Sequence, residues 1–277
     1  MKQKEIKASR IFEYFVLVLF SFLFLYPISW LVLNSFKTGP ELFESPWALP
    51  KAITFDNYIR AISVGNIGRY FTNSVVVALS VVILATLLSA MAAYGLTRLR
   101  FRFSGVLLSI FLLGMMIPTH ATIVPLFSIF NRLSINNTYI AVILPHVVFA
   151  IPIAILILSG FFASIPGEME EAAVIDGCSI PRAFFAIICP MATPSLVTVA
   201  VITFITAWND LLFPQIFLSD SSMMTLPVGL TTFQGRYSTD YVGMIAAVVI
   251  TIIPSIIIYS ILHDKIIDGM TAGAVKG

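Results

Sequence analysis

Charge is scarce in this chain. Only 11% of its 277 residues are Asp, Glu, Lys or Arg, while 58% are hydrophobic and the mean hydropathy is +0.98. Soluble domains carry about 25% charged and about 45–50% apolar residues. A water-exposed particle of this size has no means of covering so much apolar surface with so few charges. A soluble enzyme, a nucleic-acid module and a disordered tail are thereby excluded, and the chain reads as an integral membrane protein. The formal net charge of +2 does not point to a polyanionic partner. Cysteine is scarce as well: Cys178 and Cys189 fall in a segment that the charge distribution places in the cytosol, with no histidine nearby. Neither a disulfide framework nor a metal site is expected there. There is no Gly-x4-Gly-Lys-Ser/Thr phosphate loop and no recognisable nucleophile motif, and His120, His146 and His263 lack metal-ligand spacing. No catalytic residue, cofactor or metal is therefore expected in this chain, which is not an enzyme on its own. Internal repeats and low-complexity tracts are absent too, so residues 1–277 read as one transmembrane domain.

What is present is long apolar runs. About 20 residues carry a helix across a bilayer, and six stretches qualify: 11–33, 70–96, 105–130, 138–165, 191–218 and 241–262. The expected fold class is an all-α membrane protein with six transmembrane helices, a core over about 70–262 and a tail over 263–277. The third stretch is irregular. Its clean run from Gly105 to Ile117 gives only about 20 Å of helix, and Pro118 and Pro125 interrupt the remainder, which either completes the span or lies along the outer surface. The first stretch is not a cleavable leader, because its apolar run is too long and no small-x-small site follows it.

Basic residues set the orientation. With the N-terminus inside, Lys2, Lys4, Lys7, Arg10, Arg98, Arg100, Arg102, Arg182, Lys265 and Lys276 fall in the cytosol. Lys37, Lys51, Arg60, Arg69, Arg132 and Arg236 fall outside. That excess follows the positive-inside rule and puts both termini in the cytosol. Pro118, Pro125, Pro145, Pro152, Pro214 and Pro254 lie within apolar stretches. Each is expected to remove a helical hydrogen bond where water cannot replace it. One such proline is ordinary kinking, but six together suit a transporter or channel better than an anchor.

The loop at about 166–190 between the fourth and fifth spans is the most informative segment. Pro166 suits a first helical turn, Glu168, Glu170 and Glu171 complement the positive helix start, and Gly177 ends the helix in a left-handed conformation. Ser179 then caps a second helix with Pro181 in its first turn, and Pro190 marks the break before the fifth span. The result is a stiff helix-turn-helix knob with small side chains at Ala172 and Ala173 and charges at Glu171 and Asp176. Composition alone fits equally a docking element for another protein and a re-entry loop packed under the bundle.

Spacing makes the resemblance specific. Glu171-Ala172-Ala173, then Gly177, Ile187 and Pro190, resemble the EAA-x3-G-x9-I-x-L-P motif of permease subunits of ATP-binding-cassette importers, with Cys189 where leucine is usual. Further stretches resemble the carbohydrate branch, the maltose-permease type. They are Asn34-Ser35-Phe36-Lys37, Phe55-Asp56-Asn57-Tyr58, Ala92-Ala93-Tyr94-Gly95, Ala207-Trp208-Asn209-Asp210, Thr225-Leu226-Pro227-Val228-Gly229-Leu230 and the ending Gly269-Met270-Thr271-Ala272-Gly273-Ala274-Val275-Lys276-Gly277. The resemblance implies the MetI-like fold of type I importer permeases and a division of labour. Such a chain pairs with a second homologous permease and two ATPase subunits that carry the ATP and Mg, and an external binding protein delivers a sugar or oligosaccharide. Glu171, Ala172, Ala173, Asp176, Gly177 and Pro190 would then contact an ATPase subunit, and the tail after His263 would reach the ATPase pair. The stretch 219–240 resembles the outer loop that faces the binding protein.

His120, Asn209 and Asp210 are candidate pathway or gate residues. Counted from Pro190, Asp210 lies about 30 Å along a helix, near the outer interface, as a hydrated structural acid beside Trp208 or as part of an outer gate. His120 and His146 each follow a proline closely, placed either to satisfy a freed carbonyl or to offer a donor to a polar solute. Two rival functions remain at this level. An ion-coupled secondary transporter normally needs several intramembrane carboxylates, and only Asp210 is available. A membrane-embedded enzyme needs an acid–base or metal constellation, and none is evident. Glycerol-phosphate and amino-sugar importers use membrane subunits of the same type.

Overall fold

A computed structural model describes residues 2–99, 101–235 and 239–274, with side chains described over 10–99, 101–235 and 239–266. Arg100, Arg236, the Lys2, Lys4 and Lys7 side chains, and the side chains of the ending from Gly269 to Gly277 lie outside this description. Helices dominate, and among the described residues β-structure is limited to one isolated bridge between Gln234 and Thr239. Among the described residues four helices are individually long and apolar enough to cross a membrane: Arg10–Asn34, Ile67–Arg98, Tyr139–Ser164 and Tyr241–Ile266. Two bent pairs pass the same test together, and counting each as one span gives six.

The bent pairs correct the expected boundaries. Ser104–Met116 and Thr119–Arg132 meet at 88°, so the interruption expected at Pro118 is a right-angle break that divides the stretch 105–130 into two limbs. The break falls at Ile117 and Pro118, both with extended backbone (ψ 115° and 117°), because a proline disfavours helical geometry in the residue before it. The stretch 191–218 is also not one helix. Ile180–Met191 and Thr193–Trp208 meet at 81°, and a separate short helix, Leu212–Phe217, follows. The sixth helix continues beyond 262 as Tyr241–Ala274.

The prolines divide by position. Pro118 sits at a break, whereas Pro125 and Pro214 lie in the first turns of Ile123–Arg132 and Leu212–Phe217, where a missing N–H costs nothing. Pro145, Pro152 and Pro254 lie inside continuous helices. The expectation that all six break helical bonding therefore holds for only some of them.

Two compact units can be distinguished, residues 1–68 with 229–253, and residues 69–228 with 254–277. The first unit has a small core of Leu42, Val242 and Ile245 packed with Trp30 and Leu31. Among the described residues its largest fully buried polar side chain is Lys37, whose Nζ donates to the carbonyls of Ser45 (2.8 Å) and Pro46 (3.4 Å). Asn57 Nδ2 donates to the carbonyls of Ser35 and Lys37, both at 2.7 Å, pinning the same segment from the other side. The second unit holds the main core. Ala90, Ala93 and Ala154 bring helices close, and Tyr94, Ile155, Leu158, Phe162, Phe184 and Ile188 fill the seam. Gly114 allows another close approach, since a Cβ there would meet Pro152 Cγ at 3.1 Å.

Candidate functional site

The helix Tyr139–Ser164 ends at Ser164 because Pro166 has no N–H to continue the ladder. The carbonyl of Phe162 instead accepts from Ile165 N (3.2 Å) and from Arg98 Nη1 (3.3 Å), and that of Ile165 accepts from Arg98 Nη1 at 2.8 Å. The next helix, Glu168–Ile175, starts after Gly167, so Pro166 precedes the helix rather than occupying its first turn. Its first turn carries Glu168, Glu170 and Glu171, complementing the helix dipole. It closes in a Schellman motif: Cys178 N donates to Ala173 O (2.8 Å), Gly177 N donates to Val174 O (3.0 Å), and Gly177 has φ +77°.

The helix presents two different faces. Ala173 is buried and Glu170 is half-buried, whereas Glu171, Ala172, Val174, Ile175, Asp176 and Gly177 are exposed, Ile175 to 84%. Only Ala172 of the alanine pair is available to another molecule. Ser179 occupies the N-cap position of the following helix with extended backbone (ψ 154°), but its hydroxyl makes no capping bond. That helix passes through a π-helical stretch, Phe184–Ile188, and includes Pro190, so the break falls at Ala192 rather than at Pro190.

A second feature lies among the membrane-spanning helices of the same unit. A cavity of about 280 Å³ is lined by Thr119, His146, Phe149, Thr203, Thr206, Asp210 and Phe213, with smaller apolar groups between them. Trp208-Asn209-Asp210 forms its helix break. Trp208 is buried, stacked on Phe204 with ring centroids 5.4 Å apart and set edge-on to Phe71 at 5.5 Å. Asn209 Nδ2 donates back to Ile205 O (2.9 Å), closing the helix Thr193–Trp208. Asp210 accepts forward from Leu212 N (3.3 Å) and Phe213 N (3.0 Å), opening the helix Leu212–Phe217. The same carboxylate lies 3.4 Å from His146 Nε2, while His146 Nδ1 donates to Val142 O at 2.8 Å. The ring of His146 also stands edge-on to Phe213, 5.1 Å between centroids.

Residues 85–271 match the family of binding-protein-dependent transport system inner membrane components. The chain belongs to that family. The permease is 36% identical over 263 residues to the diacetylchitobiose uptake system permease NgcG of Streptomyces coelicolor, covering 94% of this chain and 87% of that one. It is 34% identical to the trehalose/maltose transport system permease MalG of Thermococcus litoralis, covering 94% of each. Its fold superimposes with a TM-score of 0.83 on a chain of a bacterial ABC transporter involved in import of the acidic polysaccharide alginate. That match has 22% identity and covers 93% of this chain and 96% of the other. These relatives are named for transport rather than catalysis, and the permease is a multi-pass membrane protein.

Of the residues singled out in the sequence, Glu171, Ala172, Asp176 and Gly177 come together on one exposed face of the loop, with Ala173 behind them. Pro190 is exposed on the helix that follows. Asp210 lines the cavity, Asn209 lies beside it, and His120 does not share the lining: it is exposed on the 3-10 turn Thr119–Thr122, whose first residue does. Because the helix begins at Thr193 and not at Pro190, Asp210 lies just beyond about 24 Å of helix rather than 30 Å. Sequence reading missed the exposed apolar tip of Val174 and Ile175, for which the unbroken apolar pair before Asp176 was the available signal. It also missed the partners of Arg98 and Asp210, which lie 72 and 64 positions away along the chain.

Proposed function

We propose that this chain is the transmembrane permease subunit of an ATP-binding-cassette importer for a sugar or oligosaccharide. With a second homologous permease it forms the translocation path, and an extracytoplasmic binding protein delivers the solute. Two ATPase subunits bind the ATP and Mg and supply the force, one of them docking on the loop around Glu168–Ile175; this chain carries no cofactor of its own. Both termini face the cytosol, in keeping with the excess of Lys and Arg on that side. The cavity beside Asn209 and Asp210 lies on the path, with Thr203 and Thr206 offering hydroxyls and Phe149 and Phe213 offering ring faces to a polyol.

The observation that carries the coupling half of this reading is the outward face of the loop helix. Glu171, Ala172, Ile175 and Asp176 project together from a short rod whose end is fixed by Gly177 at φ +77°. An exposed apolar tip flanked by carboxylates has the composition of a protein contact. The names of the relatives support a carbohydrate solute, and the diacetylchitobiose permease among them favours including amino sugars. Family membership and the small supply of intramembrane carboxylates both weigh against an ion-coupled carrier.

A cysteine placed at Ala172 is expected to crosslink to an ATPase subunit in intact cells. Gly177→Pro, which demands φ near −65° where the chain has +77°, and Glu171→Lys should leave membrane insertion intact and release the ATPase. Unchanged ATPase co-purification and uptake in both variants would overturn the reading. Thermal-shift measurements of the cognate binding protein against a sugar panel would name the solute.

A further inference from the structure

We infer that Arg98 is a positioning residue for coupling: its guanidinium ties the loop helix to the ends of the second and fourth spans, so that displacement of the loop moves both. This inference rests on the reading of the loop as the ATPase contact and adds to it the route by which motion enters the bundle.

Arg98 is the last residue of the helix Ile67–Arg98, where a cation suits the negative helix end. Its side chain is only 11% exposed, and that of Glu170 is 19% exposed. Nε and Nη2 both reach Glu170 Oε2, at 2.7 and 2.6 Å. Nη1 donates to the carbonyls of Phe162 and Ile165, and Nη2 also approaches that of Pro166 at 3.4 Å. One planar fork thus takes up the unsatisfied end of the helix Tyr139–Ser164 and grips the first turn of Glu168–Ile175 at once. A lysine ammonium has no such fork geometry.

One turn earlier, Tyr94 repeats the arrangement with apolar contacts. Its ring lies edge-on to Phe162 (6.3 Å) and tilted against Phe184 (5.0 Å), the first residue of the π-helical stretch in the second helix of the loop. Both helices of the loop are therefore seated on the last two turns of the second span, one by charge and one by packing. The two neighbouring acids are divided accordingly, since Glu170 turns inward to Arg98 while Glu171 remains exposed for a partner. The Pro-Gly pair at 166–167 leaves the backbone link between the fourth span and the loop helix without a helical ladder of its own. The tie through Arg98 supplies the missing stiffness.

The test uses the complete importer reconstituted in lipid vesicles with its binding protein, with Mg-ATP as the probe. Arg98→Gln and Glu170→Gln are expected to reach the membrane, to co-purify with the ATPase and to keep the crosslink from a cysteine at Ala172. Stimulation of ATP hydrolysis by the binding protein should fall about tenfold in each, between the scales of an exposed and a fully buried charge pair. The double variant should be no worse than Arg98→Gln alone, because that variant already removes the tie to Glu170. Arg98→Lys should be intermediate. A merely structural role would lower assembly and leave stimulation per assembled complex unchanged. Wild-type stimulation in both single variants, or strictly additive losses in the double one, overturns the inference while leaving the crosslink, and so the docking reading, intact. Absence of the crosslink in the parent protein overturns both. If Arg98→Gln does not assemble, Glu170→Gln decides, since it keeps the length of the side chain and an acceptor oxygen for Arg98.

Discussion

Asp210 offers a test that separates a cap from a charge. Its carboxylate accepts two backbone N–H groups at the start of Leu212–Phe217 and faces His146 Nε2 at 3.4 Å. Loss of an N-cap costs about 1 kcal/mol. Polar pairs between membrane helices average about 0.6 kcal/mol and reach about 1.7. Asp210→Ala removes both and should destabilise by about 2 kcal/mol on that arithmetic. Asparagine caps as well as aspartate does, so Asp210→Asn keeps the larger share and should cost about 0.5 kcal/mol. Equilibrium unfolding in mixed micelles, followed by the fluorescence of the adjacent Trp208 in a background lacking Trp30 and Trp47, measures the difference. Equal losses in the two variants would refute the capping role, and a loss below about 0.5 kcal/mol in the alanine variant would refute the cost assigned to a cap.

Four further outcomes are expected. Gly177→Ala meets no neighbour within 4 Å but forces a left-handed conformation, so it should cost about 1 kcal/mol in the loop, with Gly177→Asn milder, read by hydrogen exchange at Cys178. Gly114→Val should separate two helices, since even a Cβ meets Pro152 Cγ at 3.1 Å, and the pairing of Gly114→Val with Pro152→Ala should recover part of the lost thermal stability. Lys37→Met deletes the ammonium that holds the carbonyls of Ser45 and Pro46, and limited proteolysis should cut near Ser45 faster than in the parent. Asp220 accepts from Ser222 N at 2.7 Å, which holds its carboxyl below the usual carboxylate range. The sign follows from that depression: the turn Ser221–Met223 is supported at neutral pH and loosens only as acid titrates Asp220 below the ordinary carboxylate value. The Ser222 amide resonance should report this, and a midpoint at or above that ordinary value would contradict it.

The four uninterrupted spans were legible because long apolar runs carry their own length limit, and apart from the sixth helix, which runs on to Ala274, their observed ends fall close to those expected. The third stretch was legible in part, through the interruption at Pro118, and the fifth was not, because hydropathy counts residues and says nothing about direction. A right-angle turn between two apolar limbs looks the same in sequence as one long crossing. Proline was a partial signal. Pro118 marks a break, yet Pro190 lies inside a helix, and the true break at Ala192 is foreshadowed only by Pro194 in the first turn that follows. In the loop, Gly177 was readable because only a left-handed residue closes that helix in that way, whereas Ser179 was misread as a hydroxyl cap. The contacts of Arg98 with Glu170 and of His146 with Asp210 join positions far apart in the chain. A single sequence carries no trace of such pairings, because each partner alone has an adequate local explanation.

The Trp208-Asn209-Asp210 junction has no slack: one residue serves the helix behind it and the next serves the helix ahead. Adding or deleting a single position there would swing the downstream segment by about 100° about its axis. Phe213 and Phe217 would leave the rings of Phe149 and Phe130 that they now meet at 6.3 and 5.2 Å. Insertions and deletions should therefore be shunned at this joint and accumulate in the surface connections.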